Sequence, residues 1–330
     1  IVAPMKAWRA HEYGDFRDVL RFEDAPDPEP PKNGAVIDVA AAACNFPDLL
    51  AIAGKYQVRA PLPFVPGLEA VGTISAVGPE CKHAVGDRVI VNNLWGAFAE
   101  KFAAPGAMLF AAPADMPDAE AAGFHITYQT SYFALTHRSH LREGETLLVH
   151  GGAGGVGSSA IQLGKAMGAT VIATAGGAEK VEVCKQLGAD HAIDYRQDDF
   201  VAAVKQLTGG RGADVIYDPV GGEVTGKSTK CIAFGGRLVI IGFASGTIPS
   251  VAANRILLKN IAVVGLHWGA YHQYQPELIH QAHDQLCKLY QRGVIPPRVH
   301  AKLGLAELPK ALEAVASRQV RGKVVVIPER

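Results

Sequence analysis

The spacing of apolar positions in this chain changes character near residue 118. Before it, short runs that alternate or stay apolar (5–10, 19–23, 34–44, 69–77, 87–92 and 97–103) are separated by glycine and proline turns. Such runs predict strands, and short strands at this spacing predict a compact, partly open β-barrel. Pro47 suits the first turn of a short helix through Ile52, where no amide donor is needed. From 118 the apolar spacing becomes helical and runs to Leu135. Strands are then expected at 145–149, 169–175, 191–195, 213–217, 236–242 and 261–268. Helices are expected between them at 158–167, 179–187, 198–207 and, interrupted by glycines, up to Cys231. Six short apolar strands with intervening helices describe an α/β fold with a doubly wound parallel sheet. Helices at 276–292 and 306–320 follow, then a strand at 322–328 that has no place in that sheet. The tail is therefore expected to return to the first domain. The expected division is 1–125 with 269–330 as the β-rich domain and 126–268 as the doubly wound domain.

The turn His150-Gly151-Gly152-Ala153-Gly154-Gly155-Val156-Gly157 joins the first of the six strands to a helix. Gly152, Gly154 and Gly157 fit G-x-G-x-x-G in the strand–turn–helix context that the motif needs. Glycines there permit a tight turn, close approach to a pyrophosphate and close helix–strand packing, and the helix N-terminus faces the anion. A dinucleotide site is expected, with Gly155 and Val156 in its first helical turn. NAD-binding versions carry an acid at the end of the second strand for the ribose hydroxyls. Here that strand runs through Thr174 into Ala175-Gly176-Gly177 without an acid, and Lys180 follows one helical turn on. A lysine pairs with a 2′-phosphate as a mobile point charge. NADPH is favoured over NADH, with Thr174 counted in the cofactor set.

With 330 residues, 48% of them hydrophobic, the chain is long enough for two domains with sizeable cores. Lys plus Arg and Asp plus Glu both number 32, which removes any bulk reason to expect nucleic acid or an acidic membrane surface. The five cysteines are odd in number and scattered, which suits a reducing compartment. The longest apolar stretch, 256–268, is interrupted by Lys259 and Asn260 and falls short of the ~20 residues of a span. No signal-peptide pattern is seen, and the expected location is the cytoplasm.

Over essentially its whole length the chain resembles the medium-chain dehydrogenase/reductase superfamily. Asn45-Phe-Pro-Asp48, Gly54-Lys-Tyr56, Pro63-Phe-Val-Pro-Gly67, the glycine turn, Leu257-Leu-Lys-Asn260 and Gly265-Leu-His-Trp-Gly-Ala-Tyr271 are similar to its zinc-independent quinone oxidoreductase (zeta-crystallin-like) branch. The resemblance implies a GroES-like catalytic β-barrel, a Rossmann NADPH-binding domain, and a homodimer or tetramer built on the sixth strand. It also implies Gly154 to Gly157 at the pyrophosphate and Lys180, Tyr195 and Arg318 around the 2′-phosphate. Thr130 and the Gly242-Phe243-Ala244 turn would lie near the nicotinamide. The chain departs from its relatives at Gly176-Gly177-Ala178, where they often place a phosphate-binding serine.

Zinc-dependent relatives carry a Cys-x-x-Asp/Ser ligand, a Gly-His-Glu ligand and a four-cysteine lobe. Here Asn45 stands at the Cys position, Leu68 replaces the histidine of Gly67-Leu68-Glu69, and the lobe is missing. Cys44 is out of register by one residue, and a ligand set of Cys44, Glu69 and His125 has no spacing to recommend it. His137 with His140 and His280 with His283 read as solvated. No catalytic metal is expected. Without a Lewis acid, ordinary carbonyl reduction is hard, whereas quinones and α,β-unsaturated carbonyls spread the developing charge and need only weak donors. Asn45, Asp48, Tyr56 and Thr130 are the candidate catalytic residues. Asn45 would anchor a substrate oxygen or the ribose, and Tyr56, its phenol lowered by Lys55 or simply beside a solvated lysine, would donate to the enolate. For Asn45 and Asp48 the competing role is helix capping. The expected function is NADPH-dependent quinone reduction, with enone or enoyl-thioester reduction as the alternative. A different class is an NADPH-binding, crystallin-like protein with little turnover, or one that binds RNA.

Overall fold

The computed structural model describes residues 4–329. In chain order its strands are β1 (Met5–Ala10), β2 (Leu20–Ala25), β3 (Gly34–Ala43), β4 (Glu69–Val77), β5 (Arg88–Asn92), β6 (Lys101–Pro105) and β7 (Leu109–Ala111). There follow β8 (Thr146–Val149), β9 (Thr170–Ala175), β10 (His191–Asp194), β11 (Ala213–Asp218), β12 (Ile232–Ile240), β13 (Ala262–Gly265), β14 (Val299–Gly304) and β15 (Lys323–Ile327). The chain forms two compact units, one of residues 1–126 with 297–330 and one of residues 127–296.

The first unit is built on a seven-stranded sheet in the order β14-β15-β3-β4-β5-β7, with β6 on β3 and a separate β1-β2 hairpin. Its core gathers Ile37, Ile74, Phe98, Phe102 and Leu312, all buried. As expected, the tail returns here: β15 pairs antiparallel with β3 at Val325↔Ala43 and Val326↔Ala42. The second unit holds a six-stranded sheet in the order β10-β9-β8-β11-β12-β13. Every pairing in it is parallel, so the crossovers are helical and the order reverses between β8 and β11. That reversal opens a crevice at the carboxyl ends of the strands. No helix among the described residues is long and apolar enough to cross a membrane.

Two expectations change. Residues 269–296, expected with the β-rich domain, fall in the second unit. The helix Pro276–Gln291 is held there, because Gln129 Nε2 donates to the Ile279 carbonyl (2.8 Å) and Gln162 Nε2 to that of Pro296 (2.9 Å). The single helix expected from 118 to 135 is broken into Asp118–Ala122, His125–Phe133 and a wide turn at Ala134–Arg138. The first break is at Gly123, where a Cβ would stand 2.9 Å from Lys323 Cγ. A side chain from the far end of the sequence passes through that gap.

Candidate active site

In the second unit the glycine turn follows β8, and the helix Gly155–Ala166 opens with Gly154 as its extended N-cap. Gly151 takes a φ of 62°, in the left-handed region. A Cβ on Gly157 would lie 2.2 Å from the Gly151 carbonyl oxygen, so helix and turn are in backbone contact. A Cβ on Gly152 would meet Cys184 Sγ at 2.8 Å, which is the close packing the motif's glycines allow. Helix His125–Phe133, which carries the buried Thr130, is tied to this first turn. Ser131 Oγ donates to the Val156 carbonyl (3.0 Å) and meets Ser159 Oγ at 2.8 Å.

Beyond β9 the missing acid becomes a space. A Cβ on Gly176 would stand 2.6 Å from the Tyr195 hydroxyl and 3.0 Å from Arg196 Nε, so only glycine lets both side chains lie there. Asp194 fixes this corner by accepting the Gly177 amide (2.9 Å) and the Arg196 amide (3.0 Å), and these two bonds, in that order, hold its carboxyl below the usual range. Lys180, half-buried, stands in the first turn of the helix Ala178–Gln186. Arg196 was not singled out from the sequence; its signal is its place directly after Tyr195. Thr174 is turned away from this corner. Its hydroxyl meets His150 Nδ1 at 3.0 Å inside the sheet, and only its carbonyl reaches the glycine turn, accepting the Gly152 amide at 2.9 Å. The Gly242-Phe243-Ala244 segment is locked to the turn after β11 by Ala244 N–H to the Pro219 carbonyl (3.0 Å). Arg318 belongs to the first unit, where it ends the helix Leu308–Ala316 in a left-handed conformation with φ 57°.

The first unit holds a buried polar cluster that the sequence did not reveal. Lys323, the first residue of β15, sends its ammonium to Asn45 Oδ1 (2.6 Å), Glu69 Oε1 (3.0 Å) and the Cys44 carbonyl (3.0 Å). Three protons meet three acceptors. Asn45 Nδ2 donates to Glu69 Oε1 (3.0 Å) and to the Ala43 carbonyl (3.3 Å), while Glu69 Oε2 accepts the Ile126 amide at 3.0 Å. The ion pair is almost dry, the side chains being 7% and 0% exposed. Gly123 gives the lysine stem its passage, and the helix that restarts after the break presents Ile126 to the carboxylate. Asn45 therefore has both amide protons committed. Its Oδ1 keeps a lone pair for a further hydroxyl, while its amide has no proton left to donate.

Asp48 completes the cluster. Its Oδ2 accepts the Asn45 amide at 2.6 Å, so capping and site chemistry coincide in one residue. Burial pushes its carboxyl from the ordinary 3.8 up to about 7, against the Asn45 amide and Lys323, with Glu69 adding to the rise. Between those two values the folded chain keeps a proton that the unfolded chain has lost. The contribution to stability is thus complete below about 3.8 and is lost as pH rises toward about 7, at ~1.4 kcal/mol per pH unit. Asp48→Asn keeps an acceptor for the Asn45 amide and cannot titrate. Urea unfolding at about pH 5 and about pH 7 should show the wild type losing more stability over that interval than the variant, by one proton's slope. Equal slopes would return Asp48 to an ordinary carboxylate.

Tyr56 is half-buried, and burial first, then Asp48, raise its phenol above 10. The lowering considered from Lys55 is not found; that lysine is exposed, and Asp48 sets the field. Tyr56 stays a neutral hydrogen-bond donor. Of the residues weighed as metal ligands, Cys44 is buried in the barrel core with its thiol pushed well up by desolvation, and His125 is fully buried with its ring 4.0 Å from that of Phe110. No group of three or more His, Cys, Asp or Glu able to hold a metal occurs among the described residues. Of the histidines read as solvated, His283 is buried, 3.4 Å from Cys287 Sγ, because it faces inward on its helix. His137 is half-buried, its ring 4.8 Å from that of Phe133.

A glycine cradle at the switch point of a parallel sheet, together with a β-rich unit carrying a buried polar cluster, defines a two-domain dinucleotide-type oxidoreductase. A family model for the alcohol dehydrogenase GroES-like domain matches residues 31–114, and one for zinc-binding dehydrogenase matches residues 155–284. The chain is 38% identical to the quinone oxidoreductase-like protein 2 homolog of Nematostella vectensis, over 88% of this chain and 81% of that one. Among solved structures it is similar to mycobacterial Rv1454c complexed with NADPH (33% identity, TM-score 0.91, 98% of this chain and 100% of that one). It is likewise similar to the Escherichia coli quinone oxidoreductase complexed with NADPH (30% identity, TM-score 0.91, 98% and 100%). The chain belongs to the medium-chain dehydrogenase/reductase family, in its quinone oxidoreductase-like branch.

Proposed function

We propose that this chain is a cytoplasmic NADPH-dependent reductase that delivers hydride to a quinone without a metal. The observation that carries the proposal is the corner after β9, where Gly176 replaces an acid and leaves room for the Tyr195 hydroxyl and the Arg196 guanidinium, with Lys180 one turn on. Two relatives of known structure bind NADPH, which supports the same reading. The glycine cradle fits a pyrophosphate, because its close backbone contacts leave amides rather than side chains facing the anion. Gly154 to Gly157 would hold that group, Lys180, Tyr195 and Arg196 the 2′-phosphate, and Thr130 with Gly242 to Ala244 the nicotinamide end. When bound, NADPH supplies the hydride. Asn45, held in place by Lys323 and Glu69, would accept a ribose hydroxyl at Oδ1. Tyr56 donates to the acceptor oxygen on which charge develops. A homodimer through β13 fits the same proposal. That strand ends the sheet, and Leu257 and Leu258 before it are each 75% exposed.

Loss of one donor to a delocalised oxygen costs about 1–2 kcal/mol. Tyr56→Phe should therefore lower kcat about five- to thirtyfold, with the NADPH dissociation constant nearly unchanged. Stopped-flow NADPH oxidation against ortho- and para-quinones, enones and enoyl-CoA thioesters tests both acceptor and residue. Highest kcat/KM with an enone or thioester would move the assignment to that chemistry, and wild-type kcat in the variant would make Tyr56 a packing residue.

A further inference from the structure

At the opposite end of the six-stranded sheet from the glycine turn, a cavity of about 400 Å3 opens where β11 and β12 begin. It is lined by Lys205, Arg211, Lys230, Arg255 and Lys259, and no carboxylate is among the lining residues. The chain as a whole carries equal numbers of acids and bases, so this concentration is local rather than compositional. Arg211 pairs with Asp214. The other four cations make no ion pair with a carboxylate among the described residues. Asp199, whose charge acts on Cys231 in the cavity wall, has its carboxylate bonded to the Val201 amide.

Two of the cations are anchored. Lys259 Nζ donates to the carbonyls of Thr229 (3.0 Å), Lys230 (3.3 Å) and Ile232 (3.1 Å), and Arg255 to the Gly226 carbonyl (2.9 Å) and Thr229 Oγ1 (2.8 Å). These bonds sit at the C-terminal end of the helix Gly222–Cys231, where cations offset the helix dipole. They also hold two positive charges close together at the cavity wall. The cost is visible at Lys259, whose ammonium is lowered by burial and then by Lys205 and Arg255. Lys259 has its protons committed and contributes field; Lys205 and Lys230, both exposed, and the remaining guanidinium protons of Arg255 are left for contact.

We propose that this cavity binds a small anion bearing two or more phosphate groups. Its volume suits a small molecule rather than a flat polymer or membrane surface. No aromatic side chain lines it, so nothing is there to stack a base, and recognition rests on charge. The site is separate from the dinucleotide crevice, which lies at the carboxyl ends of the same strands.

Isothermal titration of the full chain with inorganic pyrophosphate, with and without saturating NADPH, tests this. Binding should be unchanged by NADPH, at least tenfold weaker in Lys205→Gln/Lys230→Gln, and much weaker for sulfate. The double variant should keep wild-type turnover, since neither lysine belongs to the active site. Absence of binding, equal affinity in the double variant, displacement by NADPH, or sulfate bound as tightly as pyrophosphate would each overturn the proposal.

Discussion

Lys323→Met should lower the unfolding free energy by about 3–5 kcal/mol, the usual cost of stranding one half of a buried ion pair. Glu69 would keep the Asn45 and Ile126 donors but lose the ammonium that neutralises it in an almost dry site. The methionine fills the passage that Gly123 leaves for the lysine stem, so the loss would come from charge rather than from a cavity. Lys323→Met/Glu69→Gln should recover most of the stability, because the amide has no charge to strand. Urea unfolding of both variants checks this. A single variant within about 1 kcal/mol of wild type, or a double variant no better than the single one, would show that the pair is not coupled as the distances say.

Gly157→Ala should weaken NADPH binding at least tenfold, about 1.4 kcal/mol, and cost a further ~1–3 kcal/mol of stability. All three atoms that its Cβ would meet within 3 Å belong to the backbone of Gly151 and Gly152, so no side chain can move aside. The helix would have to withdraw from the turn, taking its N-terminal amides away from the pyrophosphate position. Gly226→Ala is the control. That helical glycine has nothing within 4 Å of its Cβ, and alanine there should be neutral or stabilising. Unchanged NADPH titration in Gly157→Ala would mean that the cradle tolerates a wider turn.

The second unit was largely legible in the sequence because its signals are local. Six apolar runs, a glycine motif between a strand and a helix, and the lack of an acid after Thr174 are all read within short windows. The polar cluster of the first unit was not legible. Lys323 begins an apolar strand, and its partner Asn45 is 278 positions away. Glu69 was visible as part of a displaced zinc motif, and its partner in the fold is the Lys323 ammonium. Gly123 carried a weak hint, as a glycine inside an otherwise helical run. Thr174 near the end of its strand meets His150 through its hydroxyl, a contact between residues 24 positions apart that no short window displays.

The central claim, that the chain reduces its acceptor with NADPH and reads the 2′-phosphate at the corner of Gly176, Lys180, Tyr195 and Arg196, is tested most directly by one kinetic comparison. Steady-state kcat/KM for NADPH and for NADH is measured with the same quinone acceptor, in the wild type and in Lys180→Ala. The account predicts a preference for NADPH of at least tenfold, about 1.4 kcal/mol, eroded in the variant while NADH turnover is spared. Equal use of the two cofactors by the wild type would contradict it.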